Sequence, residues 1–151
     1  MILPSATVTV RPINTGETYP LRLAVLRPDR PAEAAHFPGD DEASTRHFGA
    51  FLGGQCIGIA SLFRAELIEK PGIPAFQLRG MATAQEAQRR GVGRTLLRAC
   101  LDFARAKGAA VFWCNARISA IDFYRKNGLV LVSGEFEVPD VGPHVRMAVD
   151  L

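Results

Sequence analysis

The alternation of apolar and polar residues along the chain predicts a series of short strands. A run of β-branched residues at 7–11 alternates strictly, and two apolar runs flank Gly53-Gly54, a pair typical of a two-residue hairpin turn. Residues 109–114 are wholly apolar, as expected for a strand buried on both faces. The predicted strands cover residues 7–11, 47–52, 56–63, 76–83, 109–114, 129–132 and 145–149.

Three stretches instead have helical spacing or helical end signals. The first covers residues 17–26, with Pro20 in its first turn and Pro28 beyond its end. The second covers 93–107, carries an apolar stripe and ends at Gly108. A short third helix covers 119–126, with Ser119 predicted as its cap and Asn127-Gly128 as its end. The order β-α-β-β-β-α-β-α-β-β predicts one α/β domain over residues 1–151, with a single mixed sheet.

Composition narrows the class of protein. The chain has 151 residues, of which 48% are hydrophobic and 22% charged, as in an ordinary folded domain. Its net charge of +3 is too small to indicate nucleic acid or a membrane as a partner. No leader peptide or membrane-spanning run is recognised, which predicts a cytoplasmic protein. The three cysteines and three histidines lack metal-ligand spacing, so the cysteines are predicted to be reduced thiols and no metal site is predicted.

The stretch QRRGVGR, residues 88–94, joins a predicted strand to a predicted helix. A helix that begins after such a turn presents unpaired backbone N–H groups and the positive end of its dipole, which together bind phosphate. Arginines beside those amides could bind the same anion through paired N–H bonds. The alternative is a simple glycine turn with solvated arginines. The spacing matches neither a dinucleotide fingerprint nor a P-loop.

A second motif lies downstream in SAIDFYRKNGL, residues 119–129. The two motifs together resemble the GCN5-related N-acetyltransferase (GNAT) family. Its Q/R-x-x-G-x-G/A motif corresponds here to Gln88, Gly91 and Gly93. Its A-x-x-F-Y-x-x-x-G-F motif corresponds to Ala120, Phe123, Tyr124, Gly128 and Leu129, where leucine replaces phenylalanine.

The resemblance implies a mostly antiparallel sheet flanked by helices, and acetyl-CoA as the acyl donor. The acetyl group would pass directly to a primary amine, with Tyr124 as the proton donor to the departing thiolate. A backbone N–H of Met81 or Ala82 would stabilise the oxyanion. The alternative for Tyr124 is a core or boundary tyrosine. The implied cofactor-binding residues are Met81, Ala82, Thr83, Gln88, Arg89, Arg90, Gly91, Val92, Gly93, Arg94 and Asn115.

Two departures from the family pattern leave roles open. Many members carry a glutamate on the strand before the glycine motif, where this chain has Gln77 and Arg79. The general base is therefore one of several alternatives: Glu66, Glu69, Glu135, His144 or an ordered water chain. Position 117 is arginine where members often have an asparagine, so Asn115 either replaces it or caps the end of its strand.

The acceptor cannot be read from these motifs. A small-molecule amine, an amino acid or a protein N-terminus all fit, and the resemblance leaves a homodimer open. The long loop 28–41 and the segment 135–144 are predicted to border the acceptor. Arg22, Arg27 and Arg30 are predicted on a solvated helix face, where they could recognise an acidic acceptor. The rival functions are a non-catalytic acyl-CoA-binding module and a nucleotide-binding enzyme.

Overall fold

The computed structural model of the protein describes residues 7–88 and 90–151. Its strands are β1 Thr9–Ile13, β2 Arg46–Leu52, β3 Gln55–Arg64, β4 Ala75–Thr83, β5 Val111–Arg117, β6 Val130–Leu131, β7 Phe136–Val138 and β8 Gly142–Asp150. Its α-helices are α1 Thr15–Leu21, α2 Val92–Ala106 and α3 Ile121–Lys126. None of the helices in the described ranges is both long and apolar enough to cross a membrane.

The strands form one mixed sheet in the order β1-β2-β3-β4-β5-β8-β6, with β7 paired to β8. β4 and β5 are parallel, whereas β1–β2, β2–β3, β5–β8, β6–β8 and β7–β8 are antiparallel. The predicted fold class, a mostly antiparallel mixed sheet with flanking helices, is confirmed.

The residues cluster into two compact units. The first comprises 7–63 and 80–100 apart from residue 89, and the second comprises 64–79 and 101–151. The single domain expected over residues 1–151 stays a prediction.

In the first unit, the predicted hairpin joins β2 to β3. Gly53 and Gly54 have φ values of 58° and 86°, and two consecutive positive φ values are what a type I′ turn requires. β3 packs closely against α2, because a Cβ at Gly58 would lie 2.8 Å from a methyl of Leu96 and 2.9 Å from one of Val92. Gly58 therefore sets how closely the start of α2 approaches the sheet.

We expect Gly58→Val to destabilise the protein by about 1–3 kcal/mol, because the added methyl groups overlap those of Val92 and Leu96. Urea unfolding measures this change. Gln55→Val adds the same side chain at an exposed position of the same strand, and should shift stability by no more than about 0.5 kcal/mol. Equal effects of the two substitutions would show that contact with α2 is not what selects glycine at position 58.

In the second unit, β5 lies between β4 and β8 and supplies core residues. Val111 and Trp113 pack with Leu67, Ala75 and Ala148. The Trp113 indole Nε1–H donates to the Ala65 carbonyl oxygen at 2.8 Å, which satisfies its polar atom within the core. Trp113 is thus a core residue, as the apolar run predicted.

The first helix differs from its prediction. It begins at Thr15, two residues early, because the Asn14 side chain and the Glu17 carboxylate each accept the other's backbone N–H at 3.0 Å. Beyond Leu21 it continues as a π-type turn, Arg22–Leu26. The fully buried positions are Thr18 and Arg22, one turn apart on the same face. The placement of Arg22 on a solvated face was therefore wrong, because this helix turns polar rather than apolar residues inward.

Two smaller predictions were also wrong. The residues before α3 form a 3₁₀ turn, Ile118–Ala120, and the helix cap is Ala120, so Ser119 does not cap it. The segment 135–144, where no strand was predicted, contains β7, which pairs with the start of β8 from Phe136–His144 to Val138–Gly142. A three-residue strand beside a proline is too short for alternation to reveal.

Candidate active site

The first unit contains the start of α2, where the glycine motif lies. The Gly91 carbonyl oxygen accepts from the Thr95 amide at 3.0 Å and from the Thr95 hydroxyl at 2.9 Å, so Gly91 caps the helix. Its φ of 78° lies in the left-handed region that favours glycine. A glycine cap has no side chain to accept the first-turn amides. The amides of Val92, Gly93 and Arg94 thus have no partner within the helix itself.

The charges around this helix start are cationic. Arg90 and Arg94 are exposed, and α2 has no acidic residue in its first turn. Neither arginine is in a salt bridge with any other residue of 7–88 or 90–151. Arg89, also expected to contribute, lies outside the described residues. Since the positive end of a helix dipole disfavours cations, this arrangement is electrostatically unfavourable on its own and suits an anion.

The strand that leads to this turn carries the other predicted binding positions. The β4–β5 ladder runs from Ala75–Val111 to Leu78–Cys114, and β4 then continues to Thr83. Gly80, with a φ of 63°, lies two residues beyond the end of this ladder. Ala82 is buried, whereas Met81 and Thr83 are half-buried. Gln88, the first residue of the motif, donates from Nε2 to the Thr83 carbonyl oxygen at 3.3 Å, which links the turn to the strand.

The second unit contains Tyr124, on α3. Tyr124 is buried, and its hydroxyl donates to the thiol of Cys114 on β5. Burial raises the pKa of Cys114 to about 12, although the Tyr124 hydrogen bond acts in the opposite direction. Burial likewise raises the pKa of Cys56 and Cys100. All three thiols are therefore poor nucleophiles at neutral pH.

The end of α3 holds the tyrosine in place. The amides of Asn127 and Leu129 each donate to the Tyr124 carbonyl oxygen at 3.0 Å, and Gly128 has a φ of 97°. Leu129, the departure from the family motif, is fully buried. Leucine therefore supplies the apolar contact that follows a glycine-terminated helix.

The candidate bases in the second unit have different surroundings. The Glu69 carboxylate pairs with Arg146 through contacts of 2.7–2.9 Å, and the hydrogen bond from Arg146 holds the pKa of Glu69 below its ordinary value. Glu66 accepts the Gly72 amide at 2.7 Å. His144 is buried, with Nδ1 at 2.9 Å from the Gly142 carbonyl oxygen, and Glu135 is exposed. A carboxylate with a lowered pKa is a weak base, so the ion pair with Arg146 counts against Glu69 as the general base.

Asn115 is exposed within β5, opposite Arg146 of β8. The strand continues two residues beyond it to Arg117. The alternative that Asn115 caps the strand end was therefore wrong, and a contact with the cofactor stays a prediction.

The sequence did not reveal a buried polar network in the first unit. The Arg22 guanidinium donates to both carboxylate oxygens of Asp40, at 2.7 and 2.9 Å, and also to the Ala35 carbonyl oxygen and the Ser61 hydroxyl. Ser61 Oγ lies 2.7 Å from Nδ1 of His47, whose Nε2 lies 3.0 Å from the Asp40 carbonyl oxygen. The residues 35–40 are thus fixed against α1 and the sheet. The predicted functional loop at 28–41 was the only signal pointing here.

Comparison with known proteins gives the family. The model of the acetyltransferase (GNAT) family matches residues 14–129. The uncharacterized N-acetyltransferase YitI of Bacillus subtilis strain 168 is 30% identical over 138 residues, which cover 91% of this chain and 93% of that protein.

Solved structures with this fold are more distant in sequence. A putative N-acetyltransferase from Lactobacillus plantarum has a TM-score of 0.77 at 21% identity, over 96% of this chain and 97% of its own. An aminoglycoside 6'-N-acetyltransferase complexed with coenzyme A has a TM-score of 0.72 at 13% identity, over 94% of this chain and 96% of its own. The motifs, the fold and these matches agree: the chain belongs to the GNAT family of acetyltransferases and is an N-acetyltransferase.

Proposed function

We propose that the protein transfers the acetyl group of acetyl-CoA directly to a primary amine. The observation that supports acetyl-CoA most strongly is the cationic start of α2. Exposed arginines lie at the positive pole of a helix that has a glycine cap and no first-turn acid. A diphosphate fits this arrangement, because amide donors and guanidinium groups converge on one anion and relieve the repulsion with the dipole.

The acyl end of the donor is assigned to β4. Past its ladder with β5, this strand continues through Gly80 to Thr83. We assign the pantetheine arm to the backbone of Met81, Ala82 and Thr83, where it would bind as an added strand does. The backbone N–H of Met81 or Ala82 would then donate to the thioester oxygen and stabilise the negative charge that develops there.

Tyr124 is assigned to proton transfer. The bond between carbon and sulfur breaks readily only if the departing thiolate gains a proton, and a tyrosine hydroxyl supplies one. Direct transfer, without an acyl-enzyme, is supported by the three cysteines, whose raised pKa values keep them protonated.

The assignment of the diphosphate is tested by Arg94→Glu. We expect the Kd for acetyl-CoA to rise about 10- to 100-fold, because one charge-assisted contact becomes a repulsion. We also expect the Tm of the unliganded protein to rise by about 1–4 °C, because the new carboxylate suits the helix dipole. Calorimetry and thermal unfolding measure the two changes.

Arg105→Glu is the matched control, at the other end of the same helix. Arg105 lies in the last turn and pairs with Asp102 at 3.4 Å, so the reversal should lower Tm and leave the Kd unchanged. If Arg94→Glu weakens folding and leaves acetyl-CoA binding intact, the arginine has a structural role and the assignment is wrong.

A further inference from the structure

A cavity of about 410 Å³ opens in the first unit, beside the loop that follows α1. Its size is within the range of small-molecule sites. It is lined by Tyr19, His36, Phe37, Gly39, Asp40, Asp41 and Glu42.

The cavity lies next to the strand assigned to the acyl group. A Cβ at Gly80 would lie 2.8 Å from the Phe37 ring, so only glycine lets the strand pass this close to the cavity wall. Gly80 directly precedes Met81 and Ala82. The cavity wall therefore lies against the strand one residue before the backbone where, under the proposed function, the thioester binds.

The lining combines aromatic rings with carboxylates. The rings of Tyr19 and His36 stack with centroids 4.7 Å apart. The charge of Asp40 is compensated by Arg22, but Asp41 and Glu42 have no ion-pair partner within the ranges 7–88 and 90–151. The Thr15 hydroxyl donates to Asp41 at 2.9 Å and holds its carboxylate. Ring faces with two uncompensated carboxylates suit an ammonium group on an aliphatic chain.

The reaction constrains which ammonium this can be. The amine that attacks the thioester must be neutral, and a nearby carboxylate favours the charged form of an amine. Two carboxylates would therefore hinder the reacting group but hold a second, unreactive cation well. An acceptor with its own carboxylate would be repelled. Of the three arginines expected to recognise an acidic acceptor, Arg22 is buried and paired with Asp40, so it is not available for this role.

On the basis of the proposed function, we propose that the acceptor is an aliphatic molecule with at least two amino groups. One amino group is held in the cavity by Asp41 and Glu42, and the other reacts at β4. The aromatic pair of Tyr19 and His36 packs against the chain between them. This assignment names the class of acceptor that the family membership leaves open.

The test compares 1,5-diaminopentane with 1-aminopentane in a CoA-release assay at one pH and ionic strength. We expect kcat/KM for the diamine to exceed that for the monoamine by about tenfold or more, as one additional charge contact provides. In Asp41→Asn/Glu42→Gln this ratio should fall to about one. The asparagine can still accept from Thr15. Glu33→Gln removes an exposed carboxylate of the same loop that is outside the cavity, and should keep the wild-type ratio.

Equal rates for the two amines in the wild type, or an unchanged ratio in the double variant, would overturn the inference. Preference for an acceptor that carries a carboxylate, such as glutamate, would overturn it as well. Calorimetry with acetyl-CoA separates failure of the cavity assignment from failure of the proposed function. Protein that gives no heat with acetyl-CoA contradicts the proposed function, whereas protein that binds it and treats both amines alike contradicts only the cavity assignment.

Discussion

Tyr124→Phe should lower kcat by about 10²- to 10³-fold, with little change in the KM for acetyl-CoA. Phenylalanine fills the same buried space but has no proton to give to the departing thiolate, so only the chemical step is affected. The stability cost should be small, about 1 kcal/mol, because one buried hydrogen bond to the Cys114 thiol is lost. Steady-state CoA release and urea unfolding of the same variant measure both effects.

Cys114→Ala is the control that separates the tyrosine from its neighbour. The Cys114 thiol, with a pKa near 12, is not expected to attack the thioester. This variant should therefore keep kcat within about tenfold of the wild type, the residual loss reflecting a small cavity beside Tyr124. A normal kcat in Tyr124→Phe would remove the tyrosine from the mechanism. An inactive Cys114→Ala would indicate a covalent intermediate instead.

The features that sequence predicted well depend on neighbouring residues. The hairpin at Gly53-Gly54 needs two positive φ values, which the glycines signal directly. The start of α2 combines a glycine cap with an apolar stripe, so its position was predicted within one residue. The donor half of the site rests on such local signals.

The features that sequence missed depend on residues far apart in the chain. Arg22 is 18 positions from Asp40 and 39 from Ser61, and nothing in either neighbourhood indicates that they meet. Hydrophobic periodicity also assumes that helices turn apolar residues inward, which fails where Thr18 and Arg22 face the core. The cavity shares Asp40 with this network, so the compensation of this one carboxylate by Arg22 could not be inferred from the sequence.

The buried pair predicts the largest effect on stability. Asp40→Asn should lower the free energy of unfolding at pH 7 by about 3–5 kcal/mol, because the Arg22 charge is left buried without its counterion. Asparagine has nearly the same shape and can still accept the Phe37 amide, as Asp40 does at 2.8 Å. Asp102→Asn removes a carboxylate from an exposed pair and should cost less than about 0.5 kcal/mol. Urea unfolding of the two variants gives the comparison.

A double-mutant cycle tests whether the cost comes from the pair itself. In Arg22→Met/Asp40→Asn the unpaired charge is absent, so the loss should be smaller than the sum of the two single losses by at least about 1 kcal/mol. Additive losses would show that packing around each residue, rather than the ion pair, stabilises the loop.

The pH dependence gives a second, independent check on the pair. Burial alone would raise the pKa of Asp40, but the hydrogen bonds from Arg22 and the Phe37 amide, with the charge of Arg22, hold it below 3.8. A carboxyl group whose pKa is lower in the folded than in the unfolded protein stabilises the fold at pH values above its unfolded pKa. This contribution is lost as the pH falls through the pKa of the folded protein. The difference in the free energy of unfolding between wild type and Asp40→Asn should thus be constant from pH 7 to about 5 and shrink below pH 3.8. If the difference is the same at pH 7 and at about pH 2.5, Asp40 is not the ionised partner of Arg22, and the cavity beside it is held by other contacts.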